Sequence, residues 1–256
     1  MAQSSITFVS AVNDFSILEN NLLQSPIIKS GKAKLLIETD HNSASIAYNE
    51  ALSKINSGIV VFAHQDVYFP NGWERLLYKG LKKINDKKWA IVGIIGITKN
   101  GFIVGKSWSN GLNMEISSPL NVPYPIVSID EIVIVMNKKN LVRFDEKLPG
   151  FHLYGTDIVQ NALIKDYKAY VINAPVIHNS LPIKFLGRDY IVSYRYMQKK
   201  WRNQLPLNNV IVKITKFGMP LAKYYLSKYK KHLLHKMPQV KRHENPLIVA
   251  KKLDYE

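Results

Sequence analysis

The sequence predicts an α/β protein built on a mostly parallel sheet flanked by helices, and three observations carry that prediction. Apolar, β-branched runs alternate with helical patterns through residues 6–63, in the order strand, helix, strand, helix, strand. Each run is bounded by turn-forming residues, as buried strands are. A chain of 256 residues with 46% hydrophobic content can bury a full core, enough for one large domain and an appendage.

The elements follow in order. Ile6 to Ala11 reads as a first buried strand, Val12-Asn13-Asp14 as the turn that leaves it, and Ile17, Leu22 and Leu23 as one helical face. Ala33 to Ile37 is a second strand ending at Glu38-Thr39-Asp40. Asn42 or Ser43 caps a helix with Ala44, Ala47, Tyr48, Ala51 and Ile55 at the 3.6-residue period. Gly58 stops it, and the strand to Ala63 delivers His64, Gln65 and Asp66 to the sheet edge where ligands bind in open α/β folds. After Pro70-Asn71-Gly72, a helical repeat runs from Trp73 to Ile84, and Trp89 to Ile97 is a fourth strand. The segment from Trp108 to Pro125 is rich in Ser, Asn, Gly and Pro, the composition of an irregular loop, and loops of this length commonly act as substrate lids. Ile126 to Met136 returns to strand, and Phe144 to Asp157 is a polar and aromatic loop. Thr156 then caps a helix from Asp157 to Lys165, before short strands at Ala169 to Ile172 and Val176 to His178.

Composition excludes several classes. The absence of cysteine rules out a disulfide framework, thiolate metal sites and cysteine nucleophiles, and points to a reducing compartment. No basic, apolar leader opens the sequence, and the longest uncharged apolar run, Ala90 to Ile97, is far short of the roughly 20 residues that span a bilayer. Gly101-x-x-x-Gly105-Lys106-Ser107 is one residue short of a phosphate-binding P-loop, and neither a dinucleotide fingerprint nor a nucleophile elbow occurs. The net charge of +16 is uneven: Lys184 to Glu256 holds 17 Lys and Arg against 4 Asp and Glu. That asymmetry predicts a nearly neutral domain over residues 1–183 and a basic, mainly helical C-terminal region over 184–256.

Six segments, in order, carry a resemblance. They are the first strand ending in Ser10-Ala11-Val12-Asn13; Asp40 after strand two; NSASIAYNEAL from Asn42 to Leu52; VVFAHQDVYFPNGW from Val60 to Trp73; FDEKLPGFHLYGTD from Phe144 to Asp157; and VIHNS from Val176 to Ser180. Together they resemble the GT-A fold of nucleotide-sugar transferases, and within it glycosyltransferase family two and its close relatives, over roughly residues 6–180. The resemblance implies an inverting transfer of a sugar from a nucleotide-sugar donor, with UDP-sugars favoured, to a glycan or lipid-linked acceptor hydroxyl. It also implies a divalent cation, Mn²⁺ or Mg²⁺, on the diphosphate.

On the positions that match, Asp66 resembles the final carboxylate of the family's Asp-x-Asp motif and is the candidate metal ligand. His178 resembles a downstream third ligand. His64 stands where the motif's first Asp would be, a departure that bears on metal affinity, and either it or Gln65 could contact ribose or phosphate. One carboxylate with imidazole suits Mn²⁺. Asp40 is similar in position to the carboxylate aimed at the base of the nucleotide, where it could accept from the uracil N–H, with Ala11, Val12 and Asn13 beside it. Asn49 faces the diphosphate or bonds locally. Asp157 resembles the catalytic base, although Thr156 replaces the Glu that precedes it in inverting relatives; Gly150, Phe151 and His152 would line the acceptor side. For each residue the structural alternative stands beside the functional one: a turn-forming Asp, a core histidine, a first-turn carboxylate.

The tail predicts two basic helices, Tyr194 to Arg202 and Pro220 to Lys236, the second with Leu221, Tyr225, Tyr229 and Leu233 one helical period apart, and a loosely ordered end from Gln239 to Glu256. Basic residues beside Tyr and Trp fit an anionic membrane surface, nucleic acid, or a solvated face packed on the domain. A cytoplasmic protein, peripheral on the inner face of the cytoplasmic membrane and serving bacterial surface polysaccharide synthesis, is the reading consistent with the resemblance. The alternative is a non-catalytic relative of the fold or a basic nucleic-acid binder.

Overall fold

The computed structural model describes residues 5–56, 58–118, 120–183, 185–234, 240–243 and 245–256. The N-terminal half supplies β1 (Ile6–Ala11), α1 (Phe15–Asn20), α2 (Pro26–Lys29), β2 (Lys34–Glu38), α3 (Ala44–Ser53), β3 (Ile59–Ala63), β4 (Val67–Tyr68), α4 (Trp73–Lys83), β5 (Trp89–Gly93), β6 (Ile95–Ile97), β7 (Ile103–Ser109) and β8 (Met114–Ser117). The remainder adds β9 (Tyr124–Pro125), β10 (Ser128–Ile129), β11 (Val133–Asn137), α5 (Tyr154–Ile164), β12 (Lys168–Val171), β13 (Ile177–His178), α6 (Arg188–Lys200), α7 (Met219–Leu233) and α8 (Pro246–Lys252).

The main sheet has the order β2-β1-β3-β11-β5-β12-β9. β2, β1 and β3 are parallel, as the alternation predicts, because each crossover carries a helix. β11 is inserted antiparallel between β3 and β5. Its Val133 to Met136 are buried, an uninterrupted apolar strand of the kind a sheet covered on both faces requires. Separate apolar clusters fill the two faces: Tyr48, Phe62, Met136 and Ile158 belong to one, Phe8, Val61, Trp73 and Val135 to the other.

Several expectations change. The run Trp89 to Ile97 is two strands rather than one, broken at Ile94, so that β6 leaves the main sheet and joins a second one. The expected lid, Trp108 to Pro125, is partly built into that sheet: its start closes β7, which pairs with β6, β8 and β13, and its Met114 to Ser117 form β8. Period-two pairing of Lys106 to Ser109 with Met114 to Ser117 satisfies a backbone that the Ser- and Gly-rich composition made look irregular. The helix after the aromatic loop starts at Tyr154, three residues earlier than Thr156 capping predicts. Leu153, with φ 66°, turns the chain, and Gly155 allows the close approach, since a Cβ there would lie 2.8 Å from Glu131 Cγ. Thr156 is buried inside the helix, where its Oγ1 contacts Ser128 Oγ at 2.8 Å and accepts from Asn209 Nδ2 at 2.7 Å.

The charge boundary at residue 184 is not a packing boundary. Tyr190, Tyr194, Met197 and Trp201 of α6, with Leu207 and Ile214 beyond it, complete the same cluster as Tyr48 and Phe62. The end of the chain is ordered by burial: Val249 and Ala250 of α8 and Tyr255 pack on Tyr68 and Ile177. Gln239 lies outside the described residues. Among the described residues, no helix is long and apolar enough to cross a membrane.

Candidate active site

The site grows from the ends of β1 and β3. These strands are neighbours, so the turns that leave them, Val12 to Asp14 and His64 to Asp66, converge at one edge. Gln65 ties them together. Its Oε1 accepts from the backbone N–H of Asn13 at 3.1 Å and of Asp14 at 3.2 Å, and its Nε2 donates to Asn13 Oδ1 at 2.6 Å. Ala11, Val12 and Asn13 therefore present fixed backbone to a cavity of about 460 Å³, which His64, Gln65 and Asp66 also line. Asp40, held at φ 62° just past β2, closes one side with Glu38 and His41; Tyr48, Phe151 and Tyr154 close another.

β4 and β13 bring the candidate metal ligands together. Their antiparallel pairing sets His178 opposite Val67, next to Asp66 in the chain, and places His178 Nε2 3.3 Å from Asp66 Oδ1. The His64 ring stands 5.7 Å from the His178 ring, and its Nε2 pairs with the Tyr154 hydroxyl at 3.0 Å. One ligand atom from each of His64, Asp66 and His178 lies within 4.8 Å of the others. Burial by itself would raise the Asp66 pKa, but the charge and hydrogen bond of His178, with His64 and Arg242 behind them, hold it below the usual carboxylate range. Burial likewise works against charge on His178, and Asp66 overrides it so that the imidazole titrates above its ordinary value. His64, where burial dominates, is pushed the other way. Two imidazoles and one ionised carboxylate suit Mn²⁺, which accepts imidazole as well as carboxylate oxygen, better than Mg²⁺. A second cluster, Glu38, His41 and Glu50, is already bridged by Lys54, whose Nζ is 2.9 Å from both carboxylates.

Two of the sequence-derived assignments fall elsewhere. Asn49 does not reach the cavity: it is buried, its Nδ2 donates to the Phe144 carbonyl and to Glu146 Oε1, each at 2.9 Å, and its Oδ1 accepts from the Phe144 N–H. It staples α3 to the loop before α5. Asp157 is 1% exposed, and both oxygens are occupied: Lys200 Nζ lies 2.7 Å from Oδ1, Trp201 Nε1 donates to Oδ1 at 2.7 Å, and Asn161 Nδ2 donates to Oδ2 at 2.9 Å. Burial raises its pKa while Lys200 and Trp201 oppose the shift. Enclosed in this way, Asp157 ties α5 to α6 and offers no free oxygen to the cavity.

The same loop offers another proton acceptor. His152 adjoins Phe151, and its Nε2 is 2.9 Å from Asp189 Oδ2 at the start of α6. Sequence reasoning missed Glu131, whose Oε1 accepts the Gly155 N–H at the head of α5 at 2.9 Å and whose pKa burial pushes up to about 8. It also missed Arg242, which approaches Asp66 from 176 residues downstream with no motif to mark it.

No family model matches the sequence. In sequence the chain is similar to "ATP synthase subunits region ORF 6" of Fuscovulum blasticum, 24% identical over 171 residues, or 62% of this chain and 66% of that one. In structure it is similar to GalNAc-T7, solved with UDP, GalNAc and Mn²⁺, at a TM-score of 0.54 and 10% identity over 77% of this chain and 48% of that one. The fold is GT-A. The mannosyltransferase PcManGT of Pyrobaculum calidifontis, solved with GDP-Man and Mn²⁺, gives a TM-score of 0.49 at 10% identity over 80% of this chain and 65% of that one. The chain thus spans about half to two thirds of these three proteins.

Proposed function

We propose that this protein is a nucleotide-sugar-dependent, inverting glycosyltransferase that uses UDP-sugars by preference and a glycan or lipid-linked acceptor. The observation that carries the proposal is the convergence of His64, Asp66 and His178 at the edge of a cavity walled by the ends of β1, β2 and β3, within a GT-A fold. In this reading Asp40 accepts from the base, and the fixed backbone of Ala11 to Asn13 lies against the nucleoside. His64, Asp66 and His178 would hold Mn²⁺ or Mg²⁺, which supplies positive charge for the departing diphosphate.

The remaining chemistry falls to the chain. The acceptor oxygen bonds to the anomeric carbon, the bond from that carbon to the β-phosphate oxygen breaks, and the nucleoside diphosphate leaves with the electron pair. His152, oriented by Asp189, takes the acceptor proton. A base on the acceptor side with direct displacement inverts the anomeric centre. Replacing His152 with Gln is expected to lower kcat by about 10²- to 10⁴-fold with nucleotide affinity unchanged; a normal kcat would remove His152 from the mechanism.

For the acceptor, α7 suggests a peripheral membrane contact in which Leu226, Tyr229 and Leu233 enter the headgroup region of an anionic bilayer. These side chains are exposed on a helix that also exposes Lys223, Lys230 and Lys231. Bacterial surface polysaccharide is the natural product class for such an arrangement. Incubation with UDP- and GDP-sugars and Mn²⁺ tests the proposal: release of nucleoside diphosphate from one donor, dependent on Asp66, is expected. Turnover that persists in Asp66→Ala would contradict it.

A further inference from the structure

The C-terminal segment returns to the site on purpose-built anchors. Asn179, fully buried and next to His178, accepts the His243 N–H at 2.9 Å and donates to the His243 carbonyl at 2.8 Å, while its own carbonyl accepts Arg242 Nε at 3.1 Å. Asn110, also fully buried, donates to the Lys241 carbonyl at 2.8 Å. Downstream, α8 and Tyr255 bury against Tyr68 and Ile177, and the Tyr68 hydroxyl donates to Glu256 at 2.7 Å. Residues 240–243 are thus a strap fixed across the ends of β4, β7 and β13.

What the strap delivers is one guanidinium. Arg242 Nη2 lies 3.6 Å from Asp66 Oδ2, on the carboxylate oxygen that His178 leaves free. At that distance the pair is an ion pair without a hydrogen bond. Among the described residues only Nε has a hydrogen-bond acceptor, so the terminal N–H groups remain available. A planar fork of donors beside a cation cluster matches the oxygens of a diphosphate, which accept two parallel N–H bonds from arginine.

We propose that Arg242 binds the diphosphate of the nucleotide-sugar donor beside the His64, Asp66 and His178 cluster, so that the strap completes the donor site. This rests on the nucleotide-sugar reading above and extends it to a phosphate-binding residue outside the resemblance. The guanidinium neutralises the ground-state diphosphate and the additional charge that develops on the β-phosphate as the bond to the sugar breaks. Lysine, a point charge on a different stem, would keep the charge and lose the fork.

Calorimetric titration of the full chain with UDP, GDP and UMP in the presence of Mn²⁺ tests this on wild type, Arg242→Ala, Arg242→Lys and Arg242→Gln. Wild type should bind one diphosphate. Arg242→Ala should weaken that binding about 10- to 100-fold while leaving UMP affinity within about twofold. Arg242→Lys should recover part of the loss. Should Arg242→Ala melt at a lower temperature than wild type, Arg242→Gln, which keeps the stem and an amide donor, is read in its place. Unchanged diphosphate affinity, or equal losses for UDP and UMP, would overturn the role of Arg242. Failure of wild type to bind any nucleotide would instead overturn the nucleotide-sugar reading itself.

Discussion

Asp66 and Asp157 are two carboxylates of similar sequence credentials and opposite structural fates. Asp66 ends a strand, lines the cavity, and is held ionised by groups that leave its oxygens within reach of a ligand. Asp157 sits in the first turn of α5 and is sealed by Lys200 and Trp201, which arrive from α6 and its C-terminal end. The local pattern around each was equally suggestive. What separates them is which distant segment returns to cover them: for Asp157 a basic helix that also brings Lys200 to 2.8 Å from Asp145, for Asp66 a strap whose single arginine stays beyond hydrogen-bond distance.

The comparison breaks most visibly at the sealed carboxylate. Asp157→Ala strands the buried Trp201 N–H and removes one of the two partners of Lys200. Since Lys200 keeps Asp145, the expected loss is about 3 kcal/mol, near the lower end for breaking a buried pair. Urea unfolding of the two proteins measures it, and a loss below about 1 kcal/mol would show that the seam does not depend on Asp157.

Asn49 sharpens the same contrast on the other side of the cavity. Asn49→Ala leaves the Phe144 N–H and carbonyl without their side-chain partner and should cost about 1–3 kcal/mol. Nucleotide affinity should stay as it is, because the side chain does not face the cavity. A selective loss of nucleotide binding without loss of stability would restore Asn49 to the donor site.

The smallest effect concerns Glu131, at the head of α5. Its folded pKa of about 8 lies above the ordinary 4.5, so the folded protein binds more protons than the unfolded chain between those values. Its contribution to stability is therefore fully present below about pH 4.5 and is lost as pH rises through about 8. Glu131→Gln should flatten that decline when urea midpoints are compared from pH 5 to 9. A variant with the same slope as wild type would place the titration elsewhere.

Much of the sheet edge was legible because it depends on short-range pattern. Alternating periods locate β1, β2, α3 and β3, and the turns after the strands then have to meet at one edge, which brings Asn13, Asp40 and Asp66 around one cavity. The rest is set by pairing over long separations. Nothing local tells β11 to run antiparallel between β3 and β5, or makes the Ser-rich stretch from Lys106 to Ser117 a hairpin rather than a lid. Leu153 enters the left-handed region, a conformation its side chain disfavours, so the true start of α5 carries no capping signature. The strap is the extreme case: its basic, unpatterned surroundings suggest a loose end, yet two buried asparagines far from it in sequence hold it, and the adjoining α8 is buried against Tyr68 and Ile177.

Calorimetric titration with UDP, GDP and CDP, each with and without Mn²⁺, on wild type and Asp66→Ala tests the donor site most directly. The account predicts tight binding of one nucleoside diphosphate that requires the cation and falls at least 100-fold in Asp66→Ala. Binding that is indifferent to both Mn²⁺ and Asp66, or absent for every nucleotide, would contradict it.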